Sequence, residues 1–128
     1  MLCFDACRPY LFSLSAGQVS DSKAGMELLL FAGTVPADTP LLMDRAYEGD
    51  RFRETARELG YTPVVPPKRN RKEPWPYDKT MYAKRNQVER LFRRIKEFRR
   101  IFTRYDKTDF MFMAFILLAF IVLLLHLC

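Results

Sequence analysis

The sequence is poor in the residues that build metal cages and disulfide frameworks. It holds one histidine, His126, and three cysteines, Cys3, Cys7 and Cys128. Cys3 and Cys7 stand four apart with no second pair downstream, so neither a zinc site nor a disulfide scaffold is indicated. The thiols read as free and cytosolic. Five glycines and eight prolines in 128 residues are too few for a low-complexity or collagen-like chain. The N-terminal stretch carries Asp5 and Arg8 and lacks a basic opening, which speaks against a secretory signal. No internal repeat is visible.

What is present suffices for one folded domain. The chain is 49% apolar and 28% charged, which excludes a disordered chain and supplies a core. The net charge of +6 hides an asymmetry: residues 68–107 hold fifteen Lys and Arg against five acids, so the remainder is acidic. A block this basic seeks polyanions, because each cation that meets a phosphate releases condensed counterions. The bland alternative is a solvated helix surface.

The C-terminus has the opposite character. Residues 110–125 form an unbroken apolar run, FMFMAFILLAFIVLLL. A membrane-spanning helix needs about 20 apolar residues, with about 17 as a lower limit, so a membrane anchor and a buried core helix both stay open on composition. Arg104 and Lys107 just ahead of the run would satisfy the positive-inside rule.

Along the chain, residues 1–4 and 9–14 read as a hairpin turning at 6–8. A helix is expected over 23–31, capped by Asp21 or Ser22. Residues 41–43 read as a short buried strand ending at Asp44. Asp50 is expected to cap a helix through Leu59, with Gly60 placed where a left-handed backbone is wanted. Residues 62–65 form another strand, stopped by Pro66 and Pro67. The basic, Pro-broken segment 68–78 is a loop, and Lys68, Arg69, Arg71 and Lys72 lie on it as mobile phosphate contacts. Asp78 is expected to cap one long helix to about Phe102, and an apolar helix starts at Thr108. Strands first, then alternating helix and strand, then helices, is an α/β or α+β order.

On a single long helix, Met81, Val88, Leu91, Phe92, Ile95, Phe98 and Phe102 share an apolar face. Asn86, Gln87, Arg90, Arg93, Arg94, Glu97 and Arg100 form the outer face, mostly basic. Between them, Tyr82, Arg85, Glu89 and Lys96 fall within an arc of roughly 60°, which sets Glu89 at the seam between core and solvent. A carboxylate among cations there suits a metal ligand beside a phosphodiester, and it equally suits ordinary ion pairing along a helix. Asp44, at the C-terminal end of a buried strand, opens into the crevice where α/β sheets place their sites, or simply forms a turn with Arg45 and Ala46. Together the two acids could hold Mg²⁺ through oxygen ligands, and two such ions would clamp the oxygens of an in-line phosphoryl transfer.

The sequence resembles the C-terminal part of DDE-type bacterial insertion-sequence transposases of the insertion-sequence-four/five superfamily. The sharpest mark is the signature Y-x2-R-x3-E-x6-K, matched by Tyr82, Arg85, Glu89 and Lys96 in YAKRNQVERLFRRIK. LLMDRAYEGDRFR, PPKRNRK, YDK, RRIFTRYDK and LSAGQVSDSK are similar to further family segments, so the resemblance covers about residues 5–125. It implies a ribonuclease-H-like fold lacking its first strand, forming a single partial catalytic domain over 1–128, with an apolar C-terminal helix packed on it. Asp44 and Glu89 would be two of three acids binding Mg²⁺ or Mn²⁺ in a two-metal site. Tyr82, Arg85 and Lys96 would support Glu89 and contact DNA, and the basic Lys68, Arg69, Arg71 and Arg93 are expected, by their charge, to contact its phosphates.

The implied activity is metal-dependent cleavage and strand transfer on double-stranded transposon ends, by a homo-oligomer in the cytoplasm, associated with the nucleoid. The strand bearing the first Asp would precede Met1, making the isolated chain catalytically incomplete and poorly soluble. An N-terminal transposase product would complete it. Asp5 is the only acid that could substitute, and Asp21 reads as a cap. The alternatives are a non-catalytic DNA-binding remnant and a small basic protein anchored in a membrane by 110–128.

Overall fold

Alternation of short β-branched or leucine-rich runs with amphipathic segments produces the following order of elements in the computed structural model. These are β1 (Leu2–Cys3), β2 (Pro9–Leu11), α1 (Asp21–Ala32), β3 (Thr39–Leu42), a 3-10 turn (Arg45–Tyr47) and α2 (Asp50–Glu58). β4 (Tyr61–Val64), α3 (Lys79–Ala83), α4 (Asn86–Lys96), α5 (Arg99–Thr103) and α6 (Asp109–Leu125) follow. The structure describes residues 1–3, 8–105 and 107–125. Asp5, Cys7, His126 and Cys128, most of the expected 6–8 turn and the side chain of Arg100 lie outside the described residues. The mixed helix and strand content fits the expected α/β class. The chain divides into two compact units, Ser15–Arg85 and a unit made of Met1–Leu14 with Asn86–Cys128.

In the first of these, β3 and β4 pair in parallel, with Thr39 opposite Tyr61 and Leu42 opposite Val64. Parallel strands need a long crossover, usually a helix, and α2 supplies it. Met43 continues the ladder by donating its N–H to the Val64 carbonyl at 3.1 Å. Leu28 and Leu29 of α1, Leu41, Met43, Phe52, Ala56, Tyr61, Val64 and Val65 are the buried apolar residues of this unit. The sharp return from α2 into β4 runs through Gly60 at φ +96°, where an added Cβ would lie 2.4 Å from the Val35 carbonyl oxygen. Only glycine fits there, as the sequence predicts. Two caps differ from expectation. Ser20 caps α1, its hydroxyl accepting from the Lys23 N–H at 3.4 Å, and Asp21 is already helical. Gly49 is the N-cap of α2, and Asp50 is the first helical residue, turned to ion pairs instead.

The other unit joins the antiparallel β1–β2 pair to α4, α5 and α6. Leu91, Ile95, Ile116 and Phe120 form its buried centre, with Met1, Cys3, Phe12 and Ile101 packed around them. Phe12 meets Phe120 edge-on at 5.2 Å. Cys3 is half-buried and carries no disulfide.

The expected single helix from Asp78 to about Phe102 is three helices. Asp78 does cap α3, accepting from the Met81 N–H at 2.9 Å. The ladder then tightens to i→i−3 bonds at Lys84 and Arg85, and again at Glu97 and Phe98, ending α3 and α4. The breaks rotate the later apolar residues off the common face. Leu91 and Ile95 are buried as expected, but Phe92 is exposed and Phe102 is 70% exposed. The Tyr82–Arg85–Glu89–Lys96 stripe consequently does not run along one helix.

The apolar run does form a helix, α6, held at its start by Thr108, whose carbonyl accepts from the Phe112 N–H at 3.1 Å. Among the described residues, no helix is long and apolar enough to cross a membrane. α6 buries Ile116, Ala119 and Phe120 and leaves Leu117, Leu118, Ile121 and Leu125 exposed.

Candidate functional site

Asp44 leaves the end of β3 and caps the 3-10 turn. Its Oδ1 accepts the Arg45 N–H at 2.7 Å, and its carbonyl accepts the Tyr47 N–H at 2.9 Å. The carboxylate is therefore both the strand-end acid and the turn former. Its side chain is 60% exposed, and Oδ2 lies 3.8 Å from Nη1 of Arg85. Arg85 reaches it from the turn after α3, while its guanidinium lies 5.6 Å from the Tyr82 ring centre. Tyr82 in turn meets Tyr77 edge-on at 5.6 Å. Two signature residues thus gather beside Asp44 within one unit.

Tyr47, the last residue of this turn, has its ring centre 5.3 Å from that of Phe52. Burial raises its pKa above the ordinary value, and the charges of Asp21 and Asp44 add to the rise. Gly25 of α1 makes room for that ring, since a Cβ there would sit 2.4 Å from Tyr47 Cε1.

Glu89 and Lys96 are exposed on α4, in the other unit, as are Arg90 and Arg93. Arg94 is half-buried on the same helix. Asp44 and Glu89 so belong to different units, each built by its own core. Both are hard oxygen donors, of the kind Mg²⁺ takes. Among the described residues no three His, Cys, Asp or Glu side chains group to hold a metal.

The loop between β4 and α3 is tied down rather than free. Glu48, whose side chain is only 8% exposed, takes Arg71 Nη1 at 3.1 Å and Lys68 Nζ at 3.4 Å. Asp50 pairs with both Arg53 and Arg71. Hydrogen bonding by Arg53, and the charges of Arg71 and Arg53, hold the Asp50 carboxyl below its ordinary pKa. Trp75 donates its indole N–H to the Val65 carbonyl at 2.9 Å, and the guanidiniums of Arg53 and Arg71 lie 3.5 and 4.5 Å from its ring centre. Arg69 and Lys72 stay exposed on this frame. Sequence reasoning missed Glu48, Arg53 and Trp75, and gave Asp50 only the role of a cap. The signal was a lone tryptophan in a basic loop, because an indole N–H needs an acceptor and its ring attracts guanidinium groups.

A family model described as transposase DDE domain matches residues 2–125. Comparison with curated proteins and with solved structures returns no match.

Proposed function

The chain belongs to the transposase DDE domain family, and from that premise we propose that it binds double-stranded DNA and takes part in metal-dependent cleavage and strand transfer in transposition. We assign it to the insertion-sequence-four/five superfamily and to a ribonuclease-H-like fold, of which β3, α2 and β4 form one crossover unit. Asp44 and Glu89 are the two acids assigned to Mg²⁺ or Mn²⁺.

The observation that carries the reading is the meeting of the strand-end Asp44 with Arg85, a signature residue from a distant part of the sequence. An arginine beside an exposed carboxylate suits a phosphodiester site. The acid offers oxygen to a cation, and the guanidinium can turn to a phosphate oxygen through paired N–H donors. Tyr82 flanks that guanidinium and limits where it can swing. A divalent ion at the acids would supply charge neutralisation at the scissile phosphate.

The test is nicking of the element's own ends in Mg²⁺ or Mn²⁺ by the purified protein, alone and with an added N-terminal transposase product. Asp44→Ala and Glu89→Ala should each abolish cleavage while leaving DNA affinity nearly intact. Loss of binding in step with loss of cleavage would assign the two acids to structure. Binding without cleavage under every condition would make the protein a non-catalytic DNA-binding remnant. Asp5→Ala is the companion variant, and loss of cleavage there would identify Asp5 as a third acid.

A further inference from the structure

The four cations of the loop after β4 are not equivalent, because its internal bonds sort them. Glu48 is a nearly buried carboxylate, and a buried charge is costly unless it is paired and hydrogen-bonded. Its partners are Arg71 at 3.1 Å and Lys68 at 3.4 Å. Its Oε2 also stands 3.5 Å from the Lys68 amide nitrogen. Arg71 carries a second ion pair to Asp50 and a stacking contact with Trp75. It cannot swing out to a DNA phosphate without leaving Glu48 to Lys68 alone, breaking the pair with Asp50 and unstacking the indole. Lys68 remains 56% exposed, but its ammonium faces the same carboxylate.

Arg69 and Lys72 are placed differently. The Arg71 N–H donates to the Lys68 carbonyl at 3.1 Å, closing a four-residue turn with Arg69 and Asn70 at its tip. Lys72 follows immediately, and both cations are exposed. The turn is anchored at both ends to the same carboxylate, so its tip is held out from the surface at little further entropic cost on binding.

We propose that Arg69 and Lys72 are the loop's contacts to the phosphates of duplex DNA, and that Glu48 and Arg71 are positioning residues that hold the turn presenting them. The assignment rests on the reading of the protein as DNA-binding. It divides a basic stretch that composition alone treats as uniform.

The experiment measures binding of the full 128-residue chain to a labelled duplex of arbitrary sequence, as log affinity against log salt from about 50 to 200 mM, where each phosphate contact contributes about −0.9 to the slope. Arg69→Ala and Lys72→Ala should each make the slope shallower by about 0.9 and weaken binding several-fold at low salt, with unchanged thermal midpoints. Arg71→Gln should lower the thermal midpoint and leave the slope as it was. Glu48→Gln removes a negative charge, which by charge alone would tighten binding. A positioning role instead predicts several-fold weaker binding. An unchanged slope for both Arg69→Ala and Lys72→Ala would overturn the assignment, and so would tighter binding by Glu48→Gln. The Arg69 and Lys72 arms decide alone if Arg71→Gln fails to fold. Wild-type binding that ignores salt would also overturn it, whereas failure of the wild-type chain to bind the duplex at low salt would defeat the DNA-binding reading itself.

Discussion

At the scale of single residues, the charged groups around β3, the 3-10 turn and the following loop do more structural work than their sequence positions suggest. Trp75 ties the loop to the end of β4 through one hydrogen bond and two guanidinium contacts. Trp75→Phe keeps a ring but deletes the donor, leaving the Val65 carbonyl without it. The expected loss is about 1–2 kcal/mol from the hydrogen bond and weakened cation–π contact, read by denaturant unfolding. Two titrations follow from the same neighbourhood. The Asp50 carboxyl is lowered in the folded state, so its contribution is present above its unfolded pKa of about 3.8 and fades as pH falls through the folded value. Asp50→Asn should therefore flatten the acid limb of a stability–pH curve. Tyr47 is raised, so its contribution holds below about pH 10 and fades as pH climbs through the folded value. Tyrosinate absorbance should include a late-ionising component from Tyr47, and Tyr47→Phe should remove it.

At the scale of elements, the helices and turns follow local chemistry where a single residue type is demanded, and depart from it where packing chooses. Gly60 is the clearest demand: a positive φ and a carbonyl 2.4 Å from any Cβ leave no room for another residue. Gly60→Ala should cost on the order of 2 kcal/mol or more, combining left-handed strain with a displaced 34–36 segment, as a drop in the unfolding midpoint. Ser20→Ala, which removes the α1 cap, should cost about 1 kcal/mol. The three-way division of the expected long helix was not legible in the residues. No proline or glycine stands at Lys84–Arg85 or Glu97–Phe98, and the periodicity alone would carry one helix through both. Tightened hydrogen bonds mark both breaks, and extended backbone at Phe98 marks the second. With them the signature residues redistribute: Tyr82 stays on α3, Arg85 turns to Asp44, and Glu89 with Lys96 moves to α4.

At the scale of the whole molecule, the two units divide the apolar residues unevenly. In the unit containing α6, Ile116 and Phe120 close the core with Leu91 and Ile95, while Leu117, Leu118 and Ile121 on the same helix lie in the open. Phe120→Ala should cost about 3–5 kcal/mol, enough to unfold that unit, because it empties a core position and its edge-on contact with Phe12. Replacing Leu118 and Ile121 by Lys should leave the thermal midpoint within a degree or two and raise solubility, because exposed apolar area drives association. Light scattering at matched concentration distinguishes the two classes of variant.

What the sequence determined by itself is what short-range chemistry controls. The hairpin, the α1 and α2 spans, the two short strands, the Asp78 cap and the apolar terminal helix each rest on a local pattern of hydrophobic spacing, turn residues or caps. The strand-end position of Asp44 and the left-handed Gly60 were legible for the same reason, and the Tyr82, Arg85, Glu89 and Lys96 spacing pointed to the family that the matched domain then showed. Tertiary structure decided the rest. The pairing of β3 with β4, the reach of Arg85 to Asp44 and the burial of Glu48 against a loop some twenty residues later all join residues distant in the chain. Such contacts form only once the cores bring them together, and the pairing of Glu48 with Lys68 and Arg71 is settled by burial, which no pattern of neighbours in sequence encodes.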